Sequence, residues 1–123
     1  MASILIIDDD ELLRSVLAKA LIQAGHEVLQ AQDGRQGEEL AGVSAIDLVI
    51  TDLIMPGQEG VETILALRRT HPKLPVIAMS GGASQSKLYL EVAAKLGARR
   101  VLAKPFTPKA LLDVVNEVLA AKA

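Results

Sequence analysis

The chain has 123 residues, room for one domain, and a domain of that size buries well over half of the surface its unfolded form would expose. Half of the residues are apolar but only Tyr89 and Phe106 are aromatic, so the core has to come from Leu, Ile, Val and Ala, a composition for helices packed on a sheet. A formal charge of −2, with basic pairs only at Arg68-Arg69 and Arg99-Arg100, excludes a nucleic-acid or membrane-surface role, and the absence of cysteine excludes disulfides and thiolate metal sites.

Met1 to Ile7 is apolar for too short a stretch to be a signal peptide before the acids begin, and no later run approaches the roughly 20 residues of a membrane span. The expectation is a cytoplasmic protein, with no membrane and no nucleic acid among its partners. Ile4-Leu5-Ile6-Ile7 is a continuous apolar run rich in β-branched residues, as a strand buried on both faces requires, and gives β1. After Asp8-Asp9-Asp10-Glu11, Leu13, Val16, Leu17, Ala20, Leu21 and Ala24 recur at i, i+3, i+4, i+7, i+8 and i+11, with Gly25 as a stop. That spacing predicts an amphipathic α1.

Glu27 to Ala31 follows as β2, a Gly-containing α2 runs around Gln36 to Ala41, and Asp47 to Asp52 is β3. Gly60 precedes α3, Pro75 opens β4 at Val76 to Ser80, Leu88 to Leu96 is α4, and Arg99 to Ala103 is β5. Thr107-Pro108 caps α5, with Leu111, Leu112, Val115, Val118 and Leu119 inward. Strand and helix alternate with short connections, which predicts an α/β fold with a parallel sheet, right-handed crossovers and helices on both faces.

In a doubly wound sheet functional groups gather beyond the carboxyl ends of the strands. There β1 delivers Asp8-Asp9-Asp10, β3 Asp52, β4 Ser80 and β5 Lys104-Pro105. Clustered carboxylates are driven toward protonation unless a cation sits among them, and with only oxygen donors at hand the fitting cation is Mg2+, for which Mn2+ could substitute. A carboxylate can itself accept a phosphoryl group when a metal and a cation neutralise the transferring charge. Asp52, flanked by Ile50, Leu53 and Ile54, is the best candidate for that nucleophile, with Lys104 as a point charge and Ser80 as a hydrogen-bond donor to phosphoryl oxygens.

Taken in order and spacing, Ile6-Ile7-Asp8-Asp9, Asp52-Leu53-Ile54-Met55-Pro56-Gly57, Ser80-Gly81 and Lys104-Pro105-Phe106 resemble bacterial response-regulator receiver domains of the CheY-like kind. The resemblance covers nearly the whole chain. It implies a flavodoxin-like five-stranded sheet in the order 2-1-3-4-5, phosphorylation of Asp52, and Mg2+ held by Asp8, Asp9, Asp52 and the backbone carbonyl of Ile54. Asp9 would be the direct ligand and Asp8 the water-mediated one. It further implies a histidine kinase or histidine phosphotransfer protein as donor, and a downstream partner on the face formed by α4, β5 and α5. Such a module is a signalling switch, monomeric or dimerising on phosphorylation, and not an enzyme acting on other molecules.

Each feature has a plainer reading. Asp8 to Asp10 could only cap α1, a role expected of Asp10 in any case; Ser80 could be a loop serine and Lys104 a surface lysine. His26 and His71 stand in turns away from the acidic rim and are read as surface residues. Gly82 to Lys87 fails as a nucleotide-binding loop because Ser86 stands where glycine must precede lysine. Leu88, Tyr89, Leu90 and Val92 exceed one buried stripe and mark either a crowded core or an exposed patch.

The chain also departs from the family pattern it resembles. Val101 stands where an aromatic usually accompanies the switch, and Gly81-Gly82 makes the loop after β4 unusually free, so loop motion rather than an aromatic flip is expected to carry the signal. A phosphatase of the haloacid-dehalogenase kind would need an acid two residues after its nucleophile, where Ile54 stands, and a flavodoxin-like cofactor site is opposed by three aspartates after β1. Residues 1–123 are expected to form one receiver with no output domain. The alternatives are a pseudo-receiver acting as a constitutive interaction module, or the excised receiver of a larger regulator.

Overall fold

The computed structural model describes residues 2–53, 60–80, 91, 94–104 and 106–122. The elements are β1 (Ser3–Ile7), α1 (Glu11–Gln23), β2 (Glu27–Ala31), α2 (Gly34–Val43), β3 (Leu48–Asp52), α3 (Gly60–Thr70), β4 (Val76–Ser80), β5 (Arg100–Ala103) and α5 (Pro108–Lys122). Of the expected α4, Glu91 and residues 94–96 are described, all helical. All strand pairs are parallel and the order is β2-β1-β3-β4-β5.

The strand alternation divides the core in two. Ile4 and Ile6 of β1, Leu48 and Ile50 of β3, and Ile77 and Met79 of β4 meet Leu17 and Leu21 of α1 and Leu111, Val115 and Val118 of α5 on one face. Leu5, Ile7, Val49, Val76 and Ala78 point the other way, onto Ala41 of α2 and Ile64 and Leu67 of α3. β1, β3 and β4 are therefore covered on both faces, which is why they read as unbroken apolar runs. β2, an edge strand, buries only Ala31 fully.

The helix ends follow the local chemistry. Asp10 is the N-cap of α1, its carboxylate accepting from the Leu13 amide, and Thr107 Oγ1 accepts from the Ala110 amide at 3.1 Å at the start of α5. At the other end of α1, Gly25 adopts φ +99°, the left-handed conformation that favours glycine; its amide donates to Ile22 O at 3.0 Å and that of His26 to Leu21 O at 3.1 Å. This paired closure satisfies carbonyls the helix leaves open.

One expectation is corrected. The buried stripe of α1 is Leu17, Ala18 and Leu21, with Leu13 half-buried, whereas Val16 and Ala24 are exposed. The helix packs on the sheet beside α5, so its inward face is turned from the one the apolar spacing defined. His26 and His71, both partly exposed and away from the acidic rim, make local hydrogen bonds: His26 Nδ1 accepts from the Ala2 amide at 3.2 Å, and His71 Nδ1 shares a 2.9 Å hydrogen bond with Thr70 Oγ1.

Candidate functional site: an acidic pocket at the strand ends

The carboxyl ends of β1 and β3 are neighbours in the sheet, so the residues that follow them emerge side by side. Carboxylate oxygens of Asp8, Asp9 and Asp52 lie within 4.8 Å of one another, with Asp8 and Asp52 buried and Asp9 exposed. A site of oxygen donors alone, open on one side through Asp9, suits a hard divalent cation.

Lys104 enters from the far end of the sheet. Its ammonium donates to Asp8 Oδ2 at 3.1 Å and to Asp52 Oδ2 at 2.9 Å, so one cation spans both buried acids. The backbone aims it: the Lys104 amide donates to Ser80 O at 2.7 Å, extending the β4–β5 ladder by one residue and turning the side chain back over β3. The Leu53 amide donates to Met79 O at 2.9 Å, and Asp52 itself pairs with Met79, so the β3–β4 ladder holds the nucleophile candidate through the end of its strand.

Electrostatics follow from this packing. Burial pushes the Asp8 carboxyl above its ordinary value, helped by the nearby Asp52, while the Asp10 amide and the Lys104 ammonium pull it back. Burial works to lower Lys104, yet the Asp52 and Asp8 carboxylates outweigh it and hold the ammonium above the usual lysine value. Ser80 is fully buried beside this group, and among the described residues its Oγ has no hydrogen-bond partner. A buried hydroxyl without a partner costs about 1–3 kcal/mol, so the position invites an acceptor.

The structure therefore gathers Asp8, Asp9, Asp52, Ser80 and Lys104, all named from the sequence, at one rim. Val101 sits one strand over, half-buried against the α2–α3 side of the core and paired with Ala78. Ile54, Gly81 and Gly82 lie outside the described residues. Sequence reasoning missed that Lys104 would ion-pair with Asp8 as well as Asp52, since 96 positions separate that pair. It also missed Arg14, whose Nη1 donates to the Asp8 backbone carbonyl at 2.7 Å. The apolar helix spacing gives no signal for either. A groove lined by Ala41, Ile46, His71 and Leu74 lies at the opposite end of the sheet and shares none of these residues.

Comparison with known proteins agrees with this geometry. The family model of the response regulator receiver domain matches residues 4–116. The transcriptional regulatory protein CpxR of Escherichia coli K12 is 39% identical over 119 residues, covering 97% of this chain and 50% of the relative. The DNA-binding transcriptional regulator NtrC of Azospirillum brasilense is 38% identical, covering 96% of this chain and 24% of the relative. The chain thus spans half or less of the length of these curated relatives. Among solved structures, a CheY-like receiver domain protein from Methanospirillum hungatei superposes with a TM-score of 0.91 at 26% identity, covering 99% of this chain and 96% of that one. The chemotaxis protein CheY4 of Vibrio cholerae does so with a TM-score of 0.87 at 32% identity, covering 96% and 98%. The strand order, the acidic pocket and these matches agree: the chain belongs to the response regulator receiver domain family, the signalling module of two-component systems.

Proposed function

We propose that Asp52 is the phospho-acceptor of this receiver and that Mg2+ is held by Asp8, Asp9 and Asp52, with the Ile54 carbonyl contributing as the family resemblance implies. The observation that carries this reading is the Lys104 ammonium lying 2.9 Å from Asp52 Oδ2 in a cluster of carboxylates, with a buried Ser80 hydroxyl beside it that has no partner among the described residues. In the transfer, an Asp52 carboxylate oxygen bonds to phosphorus as the bond to the donor's imidazole nitrogen breaks. Lys104 then exchanges a carboxylate oxygen for a phosphoryl oxygen, and Ser80 donates to another. A bound Mg2+ supplies charge neutralisation for the transferring group.

Phosphorylation adds roughly −1.5 to −2 charges, which favours whichever conformation draws Ser80 and Lys104 inward. The output is binding of a downstream partner on the face of α4, β5 and α5, with a histidine kinase or histidine phosphotransfer protein as the donor in the cytoplasm. Both arrangements occur among the similar proteins: CheY4 matches nearly end to end, and CpxR is about twice the length of the matched region. The same switch serves either.

Beryllofluoride, a phosphoryl mimic, provides the test. With Mg2+ present, saturable binding to the wild type and none to Asp52→Asn is the expected result. A wild type that binds no beryllofluoride at any Mg2+ concentration is a pseudo-receiver, and the proposal fails.

A further inference from the structure

Arg14 stands on α1 one turn beyond the Asp10 cap, and its side chain folds back over the β1–α1 junction. Nη1 donates to the Asp8 backbone carbonyl at 2.7 Å, while Nε donates to Gln30 Oε1 on the edge strand β2 at 3.2 Å. The other polar atoms of Asp8 are fixed as well. Its amide donates to Ala31 O at 3.1 Å, Oδ1 accepts from the Asp10 amide at 2.9 Å, and Oδ2 accepts from Lys104 at 3.1 Å.

The Asp8 carbonyl belongs to the peptide plane that joins Asp8 to Asp9, and the orientation of that plane sets where the exposed Asp9 carboxylate points. β1 ends at Ile7, so the regular strand does not hold this plane. A guanidinium does, and its planar fork lets one residue reach both the turn and β2.

We propose that Arg14 is a positioning residue for the cation site: by gripping the Asp8 carbonyl and leaning on Gln30, it holds the Asp8–Asp9 turn so that both carboxylates meet Asp52 around one divalent ion. The inference rests on the reading of Asp8 and Asp9 as Mg2+ ligands. Its action is geometric.

The sign of one measurement separates geometry from charge. A cation near a divalent site repels the metal, so if charge were the role of Arg14, its removal would tighten binding. If Arg14 positions the ligands, its removal weakens binding, as loss of partners behind metal ligands does. The experiment is a calorimetric titration of Mg2+ alone into the metal-free protein, far below its unfolding temperature, with circular dichroism to establish that each variant is folded. Arg14→Ala is expected to raise the Mg2+ Kd about 10-fold. Gln30→Ala, a change on an exposed edge-strand residue, is expected to raise it roughly 2- to 3-fold by freeing one end of the fork. An Arg14→Ala protein that binds Mg2+ as tightly as the wild type, or more tightly, overturns the proposal. Should Arg14→Ala not fold, an unchanged Kd in Gln30→Ala overturns it instead. A wild type without saturable Mg2+ binding fails the metal site itself, a result distinct from loss of binding in the variants alone.

Discussion

Lys104 satisfies two acids that would otherwise repel one another across the pocket, and in the proposed site Mg2+ would draw on the same carboxylates. Replacing it by methionine therefore has effects of opposite sign. Without the ammonium, Asp8 and Asp52 face each other uncompensated, and metal-free stability at pH 7 is expected to fall by about 1–2 kcal/mol, a loss reduced by the lysine's 22% side-chain exposure. Mg2+ should bind Lys104→Met more tightly than the wild type, because no cation has to be displaced, while beryllofluoride binding is lost with the phosphoryl contact. Urea titration and calorimetry on the same samples check both signs. The pH dependence has a definite direction too. The Asp8 pKa is raised in the folded protein, so its contribution to metal-free stability is fully present below the ordinary value of 3.8 and is lost as pH rises through its folded value. Mg2+ needs the ionised form, so its affinity is expected to decline on acidification while the pH is still above 3.8, and Asp8→Asn should remove that step. For Lys104 the contribution is present below 10.5 and is lost as pH rises through its raised value, which puts the corresponding transition in alkali.

Two glycines of α2 meet opposite surroundings, so the same substitution should move stability in opposite directions. A Cβ on Gly37 would come 2.3 Å from Ile7 Cδ1 and 2.7 Å from Ile7 Cγ1, and Ile7 is itself fully buried in the last position of β1 before Asp8. Gly37→Ala is expected to cost about 1–3 kcal/mol through overpacking, more than the roughly 1 kcal/mol that alanine gains in helix propensity. Gly42 is exposed and a Cβ there meets nothing within 4 Å, so Gly42→Ala should stabilise by about 0.5–1 kcal/mol. Denaturant midpoints of the two variants decide the matter. These glycines also explain why α2 was only weakly legible: its spacing suggested Gln36 to Ala41, and the helix runs from Gly34 to Val43 because Asp33 caps it through the Gln36 amide and Gly37 lets it approach β1. The inner strands β1, β3 and β4, by contrast, were readable to within a residue, since burial on both faces demands an unbroken apolar run. In α1 the apolar spacing revealed the helix but not its rotation, because Leu12, Val16 and Ile22 are apolar and yet exposed.

Across the whole molecule, the site was legible because parallel strands carry every functional group to one rim; once the order of strands is known, Asp8, Asp52, Ser80 and Lys104 must converge. Bonds made after folding were not legible, among them the Lys104 bridge and the Arg14 grip, which join residues from different elements with no periodic signature. The same architecture bears on how a change at Asp52 travels. Lys104 and Ser80 are coupled through the backbone bond between β4 and β5, and Ser80 pairs with Ala103, Ala78 with Val101. On the proposed phosphorylation of Asp52, drawing the lysine and the hydroxyl toward the phosphoryl group would therefore pull on the outer strand β5, none of whose four residues is fully buried. β1 and β3 are held on both faces by core and cannot follow. With Asp52 phosphorylated as proposed, Val101, too small to flip like an aromatic ring, makes displacement of β5 the expected route. Amide chemical shifts and hydrogen exchange measured with and without beryllofluoride at constant Mg2+ should accordingly change along β5 and the start of α5, beyond the pocket itself, and stay constant in the Glu27 to Leu29 stretch of β2 and the last turn of α2. Equal changes on both edges of the sheet would mean that the whole fold tightens around the phosphoryl group, and a directional route through β4 and β5 would be ruled out.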